Sequence, residues 1–150
     1  MIRVPLRPSA SSAVEYLSIW SHMTVQRINQ ISGEIIDAAM KVHTALGPGL
    51  LESAYEGCLK HELTKRGLKV QSQVTLPVIY DGVRIDVGYR IDLLVEDAVI
   101  VELKAVERLT PLNEAQLLSY LKLSGRKLGL LINFNVEHLK NGIKRIANGL

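Results

Sequence analysis

Asp92, Glu102 and Lys104 are charged residues set in an otherwise apolar stretch. From Tyr89 to Ala105 the chain reads YRIDLLVEDAVIVELKA, where Ile91, Leu93, Leu94, Val95, Val99, Ile100, Val101 and Leu103 suit the middle of a sheet. A charge taken out of water without a partner costs several kcal/mol or shifts its pKa. Two facing carboxylates repel each other unless something positive sits between them, and a divalent cation meets that need. Mg²⁺ favours hard oxygen ligands, usually one or two carboxylates, with water and substrate phosphate completing an octahedron. A lysine two residues beyond the glutamate, on the same strand face, would orient or deprotonate a bound water and steady developing negative charge. An ion pair of Asp92 or Glu102 with Lys104 or Arg90 at the strand ends accounts for the spacing equally well.

Whether Asp92 shares a face with Glu102 and Lys104 depends on the intervening turn. A two-residue loop Glu96-Asp97 would pair Val95 with Ala98 and put the charges on opposite faces. A three-residue loop Glu96-Asp97-Ala98 would pair Val95 with Val99 and set Asp92 against Glu102, with Asp97 able to take a left-handed position. Turn chemistry alone leaves both open.

The elements that must hold these residues follow from periodicity and breakers. Ile35, Ile36, Ala39, Met40, Val42, His43 and Leu46 recur at helical spacing from Ser32, and Gly47-Pro48-Gly49 stops that helix. A second helix is expected over about Leu50 to Arg66, ending at Gly67. Strands follow over Val70–Tyr80, Val83–Val95 and Val99–Ala105, with Asp81-Gly82 as a hairpin turn. Thr110-Pro111 opens a third helix as N-cap and first residue, and Gly125 marks its end. Residues 127–134, KLGLLINF, read as a buried strand and residues 136–148 as a terminal amphipathic helix. The expected class is α/β, a mixed central sheet in α-α-β-β-β-α-β-α order with helices packed on it.

Two further groups lie on these helices. Glu52, Tyr55, Leu59 and Leu63 share one helical face, so Glu52 is expected to point inward as a third acid; a first-turn position complementing the helix dipole is the competing reading. Gln116 and Tyr120 stand four apart beside the core positions Leu117 and Leu121, where polar-tipped boundary residues are also ordinary.

Together these residues carry a resemblance. Asp92, nine intervening residues, then Glu102-Leu103-Lys104 resembles the D…ExK signature of the PD-(D/E)xK nuclease superfamily. Gln116 and Tyr120 resemble the QxxxY motif of its exonuclease-like branch. Gly49, Glu52 and Tyr55, in GLLESAY, match the motif naming the GxxExxY protein family within that superfamily. The resemblance spans about Ile31 to Ile146 and implies a restriction-endonuclease-like core. It implies Asp92 and Glu102 as metal ligands, with Leu103 and Glu52 in the metal set, and Lys104 as the residue acting on the attacking water. Gln116, Tyr120, Tyr55 and Arg90 would bind substrate or support the site. Ile91 stands where the superfamily's name has proline. The implied activity is Mg²⁺- or Mn²⁺-dependent phosphodiester hydrolysis in nucleic acid, DNA ahead of RNA. A non-catalytic nucleic-acid-binding or assembly module is the alternative.

Composition limits the rest. The chain has 150 residues, 47% hydrophobic and 22% charged, which fits one globular domain. Its net charge of +3 points only weakly to an anionic partner. From Lys122 to Arg145, six Lys or Arg face Glu137 alone, as in a phosphate-attracting surface or a solvated helix face. A single cysteine, Cys58, excludes an internal disulfide and fits the cytoplasm. No apolar run approaches the roughly 20 residues that span a bilayer, so no membrane partner is expected. A homo-oligomer is compatible with all of this. Zinc-ligand spacing, a phosphate-binding P-loop, a dinucleotide fingerprint and a G-x-S-x-G elbow are all missing from the sequence. Glu15 interrupts the apolar part of the N-terminus, which disfavours a signal peptide. Residues 1–24 are expected to be a poorly ordered extension, and residues 25–150 one domain.

Overall fold

The computed structural model describes residues 23–150, so the expectation for residues 1–22 lies outside the described residues. Helix α1 spans Val25–Leu46, starting a full turn and more before the expected Ser32. Thr24 caps it, its side chain accepting the Arg27 N–H at 3.1 Å. Helix α2 is Glu52–Lys65, followed by strands β1 (Val70–Tyr80), β2 (Val83–Val95) and β3 (Val99–Lys104). Helix α3 is Pro111–Ser124, with a Thr110/Asn113 capping box at its start and Gly125 in the left-handed region at its end. Strand β4 is Leu128–Asn133.

The five-stranded sheet keeps sequence order, β1-β2-β3-β4 followed by β5 (Ile143–Ala147). Steps β1–β2, β2–β3 and β4–β5 are antiparallel, and β3–β4 is parallel because α3 crosses between them. Leu93, Val95, Val101, Leu103, Leu130 and Ile132 pack against α1 and α2 on one face. Leu94, Ile100 and Leu131 pack against Leu117, Tyr120 and Leu121 of α3 on the other. The centre of the sheet is therefore covered on both sides; β4 is buried along its whole length and β3 up to the half-buried Lys104. Gly129 lets α3 come this close: a Cβ there would stand 2.8 Å from the Leu117 side chain.

The last element departs from expectation. Residues 136–148 do not form a helix; a 3₁₀ turn, Leu139–Gly142, leads into strand β5, Ile143–Ala147. Without β5 the fully buried β4 would present an unpaired edge, and its backbone groups take partners from Ile143 to Ala147 instead. That tertiary demand outweighs the helical spacing of Val136, Leu139, Ile143 and Ile146. The basic cluster is consequently no single helix face. Arg126 pairs with Asp97, Lys144 with Glu114, and Arg145 bonds Asn29.

Candidate active site at the split between β2 and β3

The three-residue turn is the one that forms. Val95 pairs with Val99, Leu94 with Ile100 and Leu93 with Val101, so Asp92 comes next, across from Glu102. Glu96 and Asp97 take positive φ angles of 53° and 54°. Long-range bonds hold them there. Glu96 accepts from the Lys69 N–H at 2.9 Å and from the Arg27 guanidinium at 3.1 Å. Arg126 donates to the Asp97 carboxylate at 2.7 Å and to its carbonyl at 3.2 Å.

Beyond Leu93 the regular ladder stops, and side chains take over its hydrogen bonds. The Asp92 N–H donates to Glu102 Oε1 at 3.2 Å, and the Leu103 N–H donates to Asp92 Oδ2 at 2.9 Å. Each carboxyl thus occupies a backbone donor on or beside the other's position, which wedges the strands apart and fixes the pair's separation.

Glu102 is buried, 7% exposed. Burial first, and the Asp92 charge second, push its carboxyl from the ordinary 4.5 up to about 8, against the opposing pull of the Asp92 N–H and the Lys104 ammonium. Lys104 is half-buried on the same strand face, two residues on. Tyr120, 6% exposed, approaches from α3; burial and then the Glu102 charge raise its hydroxyl pKa, while its bond from Gln116 lowers it. Gln116 Nε2 donates to Tyr120 Oη at 3.1 Å, so the two motif residues of α3 work as one unit above the acids.

On the α2 side a cleft of about 190 Å³ is lined by Glu52, Ser53, Glu56, Gln73, Asp92 and Leu103. Glu52 is the first residue of α2 and is exposed at the rim; it is not buried with Tyr55, Leu59 and Leu63, in keeping with a first-turn acid at a helix N-terminus. Tyr55 is wholly buried instead. It stacks on Phe134 at 4.4 Å, donates to the Gly47 carbonyl at 2.6 Å and accepts from the Leu50 N–H at 3.1 Å. Its place is to hold the Gly47-Pro48-Gly49 loop and the start of α2. Arg90 is exposed two residues before Asp92, with no side-chain hydrogen bond or ion pair among the described residues.

Three residues at the site carry no motif signal. Gln73, at φ 54°, stands across the strand pair from Asp92, and its amide donates to Glu56 at 2.7 Å and to Asp92 at 3.5 Å. Glu56 has its pKa raised by burial foremost, with the charges of Asp92 and Glu52 adding to it and the Gln73 bond opposing. Asn133, 2% exposed, accepts from the N–H groups of Val106 and Asn135 at 3.1 and 3.2 Å and donates to the Val106 carbonyl at 2.9 Å. That clamp fixes the end of β3 and hence the backbone carrying Lys104. A polar residue ending an apolar strand is the only trace Asn133 leaves in the sequence.

Among the described residues no three His, Cys, Asp or Glu side chains converge as a ready-made cation cage. The donor set nevertheless suits a hard divalent cation, because two adjoining carboxylates are what Mg²⁺ takes from protein when water and phosphate supply the remaining oxygens. Glu102 is buried beside the Asp92 charge, so positive charge placed between the two would favour its ionised form. A stability prediction follows. In metal-free buffer the folded chain holds a proton on Glu102 that the unfolded chain releases, so folding loses stability as pH rises from about 4.5 to about 8. Tm measured by calorimetry should fall by several degrees across that window, and the Glu102→Gln variant should lose this part of the slope. A slope identical in both proteins would place the titration elsewhere.

Comparison with known proteins adds one finding at this point. A family model described as the PD-(D/E)XK nuclease superfamily matches residues 29–146. No curated protein and no solved structure matches the chain.

Proposed function

The chain belongs to the PD-(D/E)XK nuclease superfamily, and from that premise we propose that it hydrolyses phosphodiester bonds in nucleic acid with a divalent cation, Mg²⁺ or Mn²⁺, acting on DNA ahead of RNA. Within the superfamily, Gly49, Glu52 and Tyr55 support a place in the GxxExxY branch. One observation carries the proposal: Asp92 and Glu102 are locked together across the split of the sheet, with Lys104 close enough for its charge to act on Glu102.

Asp92 and Glu102 would hold the cation, Leu103 through its main chain, with Glu52 across the cleft. When bound, the cation supplies Lewis-acid polarisation of the phosphate and makes the attacking water more acidic. The chain's own groups do the rest. The Lys104 ammonium donates hydrogen bonds to the attacking water and to the phosphoryl oxygen on which charge grows. Gln116 and Tyr120 present an amide and a hydroxyl to the substrate backbone from the α3 side. Exposed Arg90 offers a cation to a neighbouring phosphate.

A cleavage panel tests this. Purified protein is offered single- and double-stranded DNA and RNA, with EDTA, Mg²⁺ or Mn²⁺. Cleavage of at least one substrate, present with metal and absent with EDTA, is the expected result. Binding of nucleic acid without turnover in every condition would leave the module reading in its place.

A further inference from the structure

Beyond the site, β1 and β2 continue as a two-stranded arm, closed by the turn Asp81-Gly82 at φ 52° and 73°. Every residue from Asp81 to Arg90 is exposed, including Val83 at 58%, Ile85 at 40% and Val87 at 50%. Val78 lies opposite Ile85 and Tyr80 opposite Val83, so strand alternation gathers these apolar side chains on one face. A monomeric soluble protein rarely exposes so continuous an apolar strip.

The outer edge of β2 is also open among the described residues. Strand β3 reaches only Leu93–Val95 of β2, so no described strand lies beside Val83–Arg90 on that side. A register shift between Leu76 and Val78 leaves Asp86, Val87 and Gly88 without a partner in β1 as well. The opposite edge of the arm, on β1, carries Pro77, which removes a donor and blunts it. The β2 edge has neither proline nor lysine between Val83 and Val87.

What this edge fits is written in its own order. Val83-Arg84-Ile85-Asp86-Val87 is apolar, basic, apolar, acidic, apolar. Laid antiparallel on a second copy about a two-fold axis at Ile85, it sets Arg84 against the partner's Asp86, and Asp86 against the partner's Arg84. Valine then meets valine at both ends and isoleucine meets isoleucine at the centre. Opposite charges and β-branched side chains directly across from each other are the favourable cross-strand pairs. Nucleic acid is a poorer fit. Between Val78 and Arg90, Arg84 and Arg90 are balanced by Asp81 and Asp86, which leaves no excess charge for phosphate.

We propose that this chain forms a two-fold dimer by antiparallel pairing of the β2 edge, Val83–Val87, with the same segment of a second copy. Within one chain Arg84 Nε already bonds Asp86 Oδ1 at 3.1 Å, an exposed contact that exchanges for the two intermolecular ones without loss of charge pairing. Closed two-fold symmetry uses the edge up, so assembly stops at two copies.

Sedimentation equilibrium on the full chain tests this with two charge reversals. Wild type is expected to dimerise. Arg84→Asp makes the strip doubly acidic and Asp86→Arg makes it doubly basic; each alone should dimerise at least roughly tenfold more weakly. Mixed in equal amounts, the two variants should recover a heterodimer, because each acidic position then faces a basic one. Neither variant retains the pair within its own chain, so recovery cannot come from repaired monomer folding. Circular dichroism confirms that each variant is folded. Wild type that stays monomeric, reversals that leave dimerisation unchanged, or a mixture no tighter than its components would each overturn the proposal. So would an arm whose reversals alter duplex binding and not self-association.

Discussion

Glu102→Gln is expected to lower metal-dependent cleavage by roughly a thousandfold or more while leaving the protein folded. The substitution keeps the shape of the side chain and an oxygen able to accept the Asp92 N–H. It removes the negative charge that a cation needs and the titration that burial and Asp92 make costly. At neutral pH and without metal the variant should therefore melt at or above the wild-type temperature. Stability and activity then move in opposite directions, as expected where a buried charge serves a ligand and not the fold. A structural ion pair between Glu102 and Lys104 predicts the reverse: lost stability and no effect of metal on Tm. Parallel melting curves with and without Mn²⁺ distinguish the two, and a variant that keeps wild-type turnover would remove Glu102 from the role proposed for it.

Lys104→Ala should lower the turnover rate by about a hundred- to a thousandfold, with little change in the affinity for Mn²⁺ or for uncut substrate. In the proposed mechanism the ammonium would act in the transition state, on the attacking water and the growing charge, while Asp92 and Glu102 would hold the cation. Lys104→Arg should recover only part of the rate, because a planar guanidinium cannot take the place of a compact, rotating ammonium. Calorimetric Mn²⁺ titration alongside single-turnover cleavage separates binding from chemistry. Equal losses in both would make Lys104 a member of the binding site. The lysine is also well supported: its carbonyl accepts the Phe134 N–H at 2.9 Å, and the Asn133 clamp secures the chain just after it.

The sequence discloses the centre of this site better than its surroundings, and the reason is range. Asp92, Glu102 and Lys104 lie within one hairpin, where strand alternation and the length of one turn decide which side chains meet. The choice between a two- and a three-residue turn is settled by bonds from elsewhere: Arg27 and Lys69 to Glu96, and Arg126 to Asp97. Gln73, Glu56 and Asn133 are invisible for the same reason, since each acts on residues 17 to 27 positions away. The third helix is legible through Thr110, Pro111 and Gly125, which act within a turn of themselves. Strand β5 is not, because its conformation is dictated by the unpaired edge of β4 and runs against its own periodicity. Helix phase alone points Glu52 inward, yet it is exposed. Phase gives direction around a helix, and it says nothing of where the helix end lies relative to the sheet.

The register shift between Leu76 and Val78 also divides the sheet dynamically. On one side, β4 and β3 up to Lys104 are buried and backed by helices on both faces. On the other, the arm from Val78 to Arg90 has two strands, a register shift and solvent around it. Local opening follows such differences, so the arm forms a cooperative unit that unfolds at a small fraction of the global free energy. Its amides should exchange with solvent long before those of β3. Asp92 lies on the stable side, next to buried Ile91, and its carboxylate is bonded to the Leu103 N–H. A cation that draws Asp92 and Glu102 together should therefore steady the base of β2, and protection should spread outward into an arm that the cation never touches.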